Sequence, residues 1–445
     1  MKRKAILVVL TCAAILIGSP QARSSGFLIY EHGAAAMGMA GAFVSVANDP
    51  SAIFHNPAGI AWLEGTHINF GTTLIRPVAS LSLPNWPDPT YRTVDQENQL
   101  FYPPSFYITN KFSDRITAGF GFFVPFGLGV AWPEDYPLQY ISIKDDMKTF
   151  IFNPTVAVKL SDNVSFGFGV SYIHATLFFK LVEHQIVDIG PQVGLPVAVN
   201  TTLEIPVELD ASGSAFGLNA GLLYKGEQFS LGFNWRGGYK MKFDGDLALG
   251  TAKVTIPAPY NQLIPASLVA GSIPSGGSAS IPEFNFPHIL GVGASFNLTE
   301  TLLWSVDVHY TLWSSYDEFT VEVEVPGFAD KHVEENWEDS FLFRTGFQYS
   351  ASESLALRGG FFYDQTPQPA EFMDPILPDA DRIGFTVGIG YRSGNFVLDV
   401  AYQYEPFKDR TSPNRYIFAI PGGNLGEGTY STTAHLFGVS LGFDL

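Results

Sequence analysis

His435-Leu436-Phe437-Gly438-Val439-Ser440-Leu441-Gly442-Phe443-Asp444-Leu445 is the stretch whose alternation decides the fold. In an extended strand, successive side chains point to opposite faces. His435, Phe437, Val439, Leu441, Phe443 and Leu445 therefore share one face, and Gly438, Ser440, Gly442 and Asp444 the other. The same pattern recurs upstream. Ile383, Phe385, Val387, Ile389 and Tyr391 alternate with Gly384, Thr386, Gly388 and Gly390. Phe396, Leu398, Val400, Tyr402 and Tyr404 alternate with Val397, Asp399, Ala401 and Gln403, and Phe166, Phe168, Val170 and Tyr172 with Ser165, Gly167, Gly169 and Ser171. A water-soluble sheet would bury the large apolar face and carry charge on the other. Here the second face is mostly small and weakly polar, which suits a lumen better than bulk solvent. After Ser24 no run reaches the roughly 18–20 apolar residues of a membrane-crossing helix. A closed antiparallel β-barrel, which crosses a bilayer by alternating segments of about ten residues, is the expected fold.

The connections set the strand count. Short polar turns stand at Ser113–Arg115, Ser161–Asn163, Lys225–Gln228, Asn297–Thr301, Ser350–Ser354 and Arg392–Asn395. Long connections lie between them, near 78–99, 127–147, 181–206, 244–282, 319–335, 365–379 and 406–429. Short and long ends alternate, as the inner turns and outer loops of bacterial barrels do, and the thirteen connections predict about fourteen strands. A soluble sandwich explains the alternation of side chains but not that of loop lengths.

Composition agrees and excludes other classes. Of 445 residues, 46% are hydrophobic and 15% charged, against about a quarter charged in ordinary globular domains. With 14% aromatic residues, the chain is the opposite of a disordered one. Gly (44) and Phe (38) replace the charges, and so much Gly is unusual for a helical protein. A formal charge of −18 argues against nucleic acid as a partner.

Lys2, Arg3 and Lys4 precede an apolar run from Ala5 to Gly18, followed by Ser19, Pro20 and Ala22-Arg23-Ser24. That is the order of a secretory signal peptide, with cleavage expected after Ser24. Loss of residues 1–24, with their four basic and no acidic side chains, would take the charge from −18 to −22. Cys12 is the only cysteine and lies inside the apolar run rather than at its end, so neither a lipid anchor nor a disulfide is expected.

Residues 25–65 do not read as barrel wall. They contain the small-residue run Gly33-Ala34-Ala35-Ala36-Met37-Gly38-Met39-Ala40-Gly41-Ala42, then Asp49-Pro50 and Asn56-Pro57-Ala58-Gly59. Asp or Asn before Pro fits a helix N-cap with Pro at the first helical position. Two or three short helices are expected, folded back as a hatch that plugs the lumen, with Asn56, Pro57 and Ala58 at its centre. The barrel would then span 66–445, its first strand near Thr66–Pro77. A periplasmic extension outside the barrel is the alternative.

Three stretches carry a family resemblance. They are Ser25-Gly26-Phe27, the run Ala47-Asn48-Asp49-Pro50-Ser51-Ala52-Ile53-Phe54-His55-Asn56-Pro57-Ala58-Gly59, and Tyr363-Asp364-Gln365-Thr366-Pro367 with Pro378-Asp379-Ala380-Asp381-Arg382. The chain resembles the FadL family of outer-membrane transporters of long-chain fatty acids, whose relatives take up aromatic hydrocarbons. The resemblance implies a fourteen-stranded barrel, an N-terminal hatch, passive uptake of hydrophobic molecules and a Gram-negative outer membrane. It also implies insertion by the barrel-assembly machinery, which recognises a terminal aromatic residue in typical members. Here Leu445 stands last and Phe443 two residues before it.

A hydrophobic solute dissolves poorly in a water-filled pore, and a leaflet of lipopolysaccharide resists its partitioning. An apolar capture surface solves the first problem, because burial stabilises by roughly 25 cal/mol per Å². The long loops near 181–206 and 244–282 offer Leu195, Val197 and Leu203, and Leu263, Ile264 and Leu268. These residues either form a binding groove or pack on each other as a loop cap, and two packed loops can leave a groove between them. For exit, the resemblance implies a kink in the third strand that opens the wall sideways. Phe122, Pro125, Phe126 and Gly127 are the candidates by position, since Pro removes a ladder donor and Gly permits unusual torsions. The alternative there is the ordinary end of the strand at the outer rim.

Alternation places Arg344, Arg358, Arg382, Asp307 and Asp399 inward. Such charges must pair or be hydrated, and a network bracing the hatch is expected. One Arg left free would hold a fatty-acid carboxylate through a bidentate contact. No enzyme is expected. Gly438-Val439-Ser440-Leu441-Gly442 matches a nucleophile elbow but lies within a strand, and His435 and Ser440 fall on opposite faces. The nine His form no metal-binding spacing, and no Gly-rich phosphate loop is present, so neither metal nor cofactor is expected. An outer-membrane lipase and, more seriously, a general diffusion porin are the rival functions. A porin would have an open, conducting lumen. The expected partners are a hydrophobic small molecule, outer-membrane lipid and lipopolysaccharide, and the assembly machinery; a monomer is expected.

Overall fold

A computed structural model describes residues 26–413 and 427–445. The expected export segment and Cys12 lie outside these residues, as does part of the connection near 406–429. Fourteen strands form the wall. They are β1 (Thr66–Ser82), β2 (Pro104–Lys111), β3 (Ile116–Phe123), β4 (Lys144–Lys159) and β5 (Val164–Asp188). Next come β6 (Asn200–Lys225), β7 (Phe229–Arg236), β8 (Ile289–Asn297), β9 (Leu302–Thr311) and β10 (Ser340–Ser350). The ring ends with β11 (Leu355–Asp364), β12 (Arg382–Ser393), β13 (Phe396–Pro406) and β14 (Gly428–Asp444). Each pairs antiparallel with the next. β14 then pairs with β1, from His67 opposite Asp444 to Ser82 opposite Thr429. That last ladder closes the sheet and leaves no edge, the condition for strands to stand in hydrocarbon. No helix among the described residues is long and apolar enough to cross a membrane.

All six short turns fall between strands where they were expected, at one end of the barrel. At the other end the strands run further than the sequence suggested. β5 and β6 are 25 and 26 residues long and pair without interruption from Val164 opposite Tyr224 to Asp188 opposite Asn200. Membrane crossing needs only about 9–11 residues per strand, so this hairpin projects far beyond the bilayer. The connection expected at 181–206 is thus mostly strand, with only 189–199 as its tip. Thr201, Leu203 and Ile205 are buried at every second position and continue the strand period. Likewise Tyr239–Leu249 continues β7 upward and pairs with Gly276–Phe286, which leads into β8. Outside the ring, Glu318–Glu324 and Lys331–Glu334 form a further hairpin.

The wall has the two faces its alternation implied. Phe168, Val170, Tyr172, Phe385, Val387, Ile389, Phe437 and Leu441 are exposed on the outside, where lipid covers them. Small residues face inward because the interior is already filled. Residues 26–65 lie there as helix α1 (Ala34–Gly38), helix α2 (Ala52–His55) and a 3-10 turn, Pro57–Trp62. They touch the wall so closely that a side chain would not fit. A Cβ on Gly221 of β6 would stand 2.0 Å from Asn56 Oδ1, and one on Gly167 of β5 2.3 Å from the Pro57 carbonyl carbon. Comparable approaches occur at Gly232 of β7, Gly346 of β10 and Gly438 of β14, on other sides of the ring.

Gly221→Val is expected to leave a folded, heat-modifiable barrel while displacing the inner segment. Planar-bilayer recordings should then show larger or more frequent openings than the wild type. Unchanged conductance with a folded barrel would mean that this segment does not occlude the lumen.

Candidate functional site

The inner segment is held by backbone and side-chain hydrogen bonds rather than by apolar packing alone. Asn56 is fully buried: its Nδ2 donates to the carbonyls of Val44 (2.8 Å) and Leu222 (3.1 Å), and its Oδ1 accepts from Ala58 N–H (3.1 Å). It thereby caps the 3-10 turn, with Pro57 at the first position, and ties that turn to β6. Asp49 closes the preceding turn by accepting from Ser51 N–H at 2.7 Å. Ser165 of β5 donates to the Ala58 carbonyl (2.8 Å) and accepts from Trp62 Nε1 (2.9 Å). Across the lumen, Thr386 donates to Gly38 O (3.1 Å), Thr73 to Glu31 O (2.8 Å) and Asn234 to His55 O (2.5 Å). Near the short-turn end, Lys159 and Lys225 stand 4.8 and 5.6 Å from the Trp62 ring.

β3 breaks at Val124-Pro125-Phe126. The strand leaves its ladder after Phe123 opposite Ile151 and resumes at Gly127 opposite Lys148, running on to Ala131. Four steps on β3 match three on β4, the signature of an inserted residue. On the lumen side the inner segment fills the gap. Ile29 N–H donates to Pro125 O (2.7 Å), Gly127 N–H donates to Phe27 O (2.9 Å), and Leu28 pairs antiparallel with Phe126 between them. On the other side, Thr149 of β4 accepts from Phe126 N–H through its Oγ1 (3.1 Å) and donates its own N–H to Phe126 O (3.1 Å). The loose backbone of the break is therefore satisfied jointly by wall and hatch.

The four residues expected at an opening divide between the two sides of the wall. Phe126 is buried at 1% exposure, with its ring 5.1 Å from Phe286 and 5.8 Å from Phe27. Phe122 lies on the outer side, against Phe152 (5.1 Å) and Phe150 (6.3 Å). Phe122 and Phe126 hence do not line one surface together: they are four positions apart, which a regular strand would place on one face, but the irregular segment between them reverses the alternation. Pro125 is buried and Gly127 half-buried at the break itself.

Above Phe27 lies an aromatic slot the sequence reading missed. Phe27, Phe284, Tyr316, Phe319 and Trp337 line it, with Met147 and Leu177 from β4 and β5, and Glu335, Gln368 and Asp374 as its polar members. Ring centroids here are 4.8–6.3 Å apart, and Trp313 closes the cluster beside Phe27. The cavity is about 30 Å³, room for a water or two, so a larger guest enters only if these side chains move. The available signal was the density of aromatic residues between Trp313 and Trp337, in a connection read only as a loop.

The six loop residues divide between a packed cap and its surface. Leu203 and Ile264 are buried in a cap with Ile189, Val199, Ile205 and Val269, and Leu195 packs half-buried against it. Val197, Leu263 and Leu268 are exposed on its surface.

Of the inward charges, three pair. Arg358 donates to Asp399 at 2.6 Å, and Arg382 reaches Asp364 (2.9 Å) and Glu405 (3.3 Å). Asp307 accepts from Val44 N–H at 2.8 Å, and Arg344 donates to the Ala40 carbonyl at 2.6 Å, so both hold the hatch by its backbone. Ser440 accepts from Ala34 N–H inside the barrel, whereas His435 faces outward beside Tyr402. The two are not a catalytic pair.

A family model described as "Outer membrane protein transport protein (OMPP1/FadL/TodX)" matches residues 15–444. The chain belongs to this family. It is an outer-membrane transport protein of a Gram-negative envelope, and the family is one of transporters, which removes the lipase reading. Across 405 residues it is 23% identical to the long-chain fatty acid transport protein of Escherichia coli O6:H1, covering 88% of this chain and 89% of that one. Two solved structures share the fold. A Pseudomonas aeruginosa FadL homologue superposes with a TM-score of 0.75 at 20% identity, over 94% of this chain and 100% of the other. The Ralstonia pickettii toluene transporter TbuX gives 0.64 at 17% identity, over 95% and 99%.

Within this family member the cap and its surface are separable. Leu263→Asp with Leu268→Asp should leave stability unchanged and lower cellular uptake of a radiolabelled hydrophobic compound several-fold. Ile264→Asp should instead destabilise the loop cap, by about 2–5 kcal/mol for a charge in an apolar core, read as faster proteolysis of loop 250–275. Normal uptake by the double variant would confine these loops to a structural role.

Proposed function

We propose that this transporter carries hydrophobic small molecules passively inward, taking them at the exposed apolar surface of the outer loops and releasing them sideways at the break in β3. The observation that carries this reading is the completion of the broken wall by the hatch at Phe27–Ile29. A cargo in the aromatic slot rests directly on Phe27, so the segment beneath the cargo is also the segment that seals the gap. Displacing it clears both at once, and the cargo then enters the membrane with its apolar surface still covered. Names of the relatives agree on chemistry: one carries long-chain fatty acids and another toluene. Lipid and lipopolysaccharide around the wall, and the barrel-assembly machinery, are the further partners of this reading.

A general porin is the competing function. It requires water and ions to cross a standing lumen, whereas here residues 26–65 contact strands on every side of the ring.

The seal provides its own test. Leu28 and Phe126 form a pair flanked by the two hydrogen bonds rather than bonded to each other, the close type of antiparallel pair. Such pairs suit a disulfide, and the described residues hold no cysteine to interfere. Leu28→Cys with Phe126→Cys should lose nearly all uptake of oleate and toluene when oxidised and regain it on reduction, while each single variant remains active. Undiminished uptake by the oxidised protein would exclude this route.

A further inference from the structure

Beyond the break, the seam between β2 and β3 is filled by side chains. Pairing of β2 with β3 stops at Phe106 opposite Phe122, and the resumed stretch Gly127–Ala131 pairs with β4 on its other side. Two glycines of that stretch each lie against a side chain from elsewhere in the chain. A Cβ on Gly127 would stand 2.8 Å from Ile29 Cδ1, and one on Gly129 2.0 Å from Phe101 Cζ and 2.3 Å from Phe101 Cε1. The Phe101 ring therefore ends directly on the backbone of β3, in space that any larger residue at 129 would need. Further along, Glu97 N–H donates to Ala131 O at 2.8 Å and closes the outer end of the seam. Ile29 and Phe101 are both half-buried, whereas Leu100 and Tyr102 on either side of Phe101 are exposed.

The two fillers are anchored differently. Ile29 belongs to the hatch, and on the sideways route it leaves the seam when the pairing along 27–29 is given up. Phe101 belongs to the wall. Its N–H donates to Ile75 O (2.9 Å) and its carbonyl accepts from Ile75 N–H (2.8 Å), a bridge in the same register as the β1–β2 ladder. Pro103 and Pro104 follow it and stiffen its entry into β2. Gly127 and Gly129 are two strand positions apart, roughly 6–7 Å. An aperture vacated by Ile29 is then bounded at that distance by a ring that stays in place. We propose that Phe101 is the fixed rim of the exit and sets the width of hydrophobe that leaves through the wall. A slim molecule passes beside the ring, and a broad, rigid one meets it. This assignment rests on the sideways release argued above and adds the residue that discriminates among its cargoes.

The test compares two rigid neutral hydrocarbons of different width, toluene and pyrene, as radiolabelled uptake by cells above the level of cells lacking the protein. Phe101→Ala should raise the ratio of pyrene to toluene uptake about fivefold and Phe101→Leu about twofold, the modest discrimination an apolar contour supplies. The second variant decides the matter if the first does not insert. Adding Gly129→Val to Phe101→Ala refills the same space from the β3 side and should return the ratio to the wild-type value. An unchanged ratio in both Phe101 variants, or a rise that Gly129→Val does not reverse, would make the ring a packing residue and overturn the proposal. Combining Phe101→Ala with Leu28→Cys and Phe126→Cys separates this failure from failure of the route, since oxidation should abolish the pyrene uptake gained. Pyrene uptake that persists in the oxidised protein would overturn sideways release itself, and this rim with it. Uptake of neither compound by any of these proteins would likewise overturn both.

Discussion

Hydrocarbon offers no partner to a backbone N–H or C=O, and the rest of this structure follows from that constraint. Fourteen strands satisfy it by pairing in chain order and closing β14 on β1. Closure creates an interior, and the interior must be filled or flooded. Here it is filled by residues 26–65, which bring their own backbone groups that also need partners. Those partners are wall side chains: Ser165, Asn234, Thr73, Thr386, Asp307 and Arg344 each bond a main-chain atom of the inner segment. The absence of side chains at Gly167 and Gly221 lets the backbone come near enough for this. Hatch and wall are thus one hydrogen-bonded unit with two chemical faces, apolar toward lipid and small or polar toward the hatch.

β3 is the exception to that continuity. Pro125 has no N–H to give the ladder, and its neighbours leave register with β4. The missing bonds are made by Phe27 and Ile29, which belong to the hatch and not to the wall. Continuity of the wall at this point therefore rests on two hydrogen bonds and one antiparallel pair along 27–29. Phe27 also forms the floor of the aromatic slot, so occupancy above and continuity of the wall depend on the same side chain.

Charge is distributed in the same spirit. Arg358 with Asp399, and Arg382 with Asp364 and Glu405, neutralise one another within the wall. Arg344 and Arg236 form no ion pair among the described residues, and instead donate to the Ala40 and Phe54 carbonyls and stand over the Tyr30 and Phe54 rings.

Period-two alternation, the swap of short and long connections and the small-residue run before Thr66 were enough for the sequence alone to determine a fourteen-stranded barrel with small N-terminal helices. These are local signals: a strand shows its two faces within ten residues, and a turn shows its composition within four. How far β5 and β6 continue past the membrane was not legible, because above the bilayer Leu203 is buried against residues distant in sequence, such as Ile256, Ile264 and Val269. The inward placing of Arg344 was legible from alternation; its lack of an acidic partner was not, since Asp307 stands opposite it and only the three-dimensional path of Val44 draws that carboxylate away. The aromatic slot and the sealing of Pro125 by Ile29 were likewise decided by tertiary structure alone. Both join residues about a hundred or more positions apart, and such a contact exists only once the ring has closed around the segment that fills it.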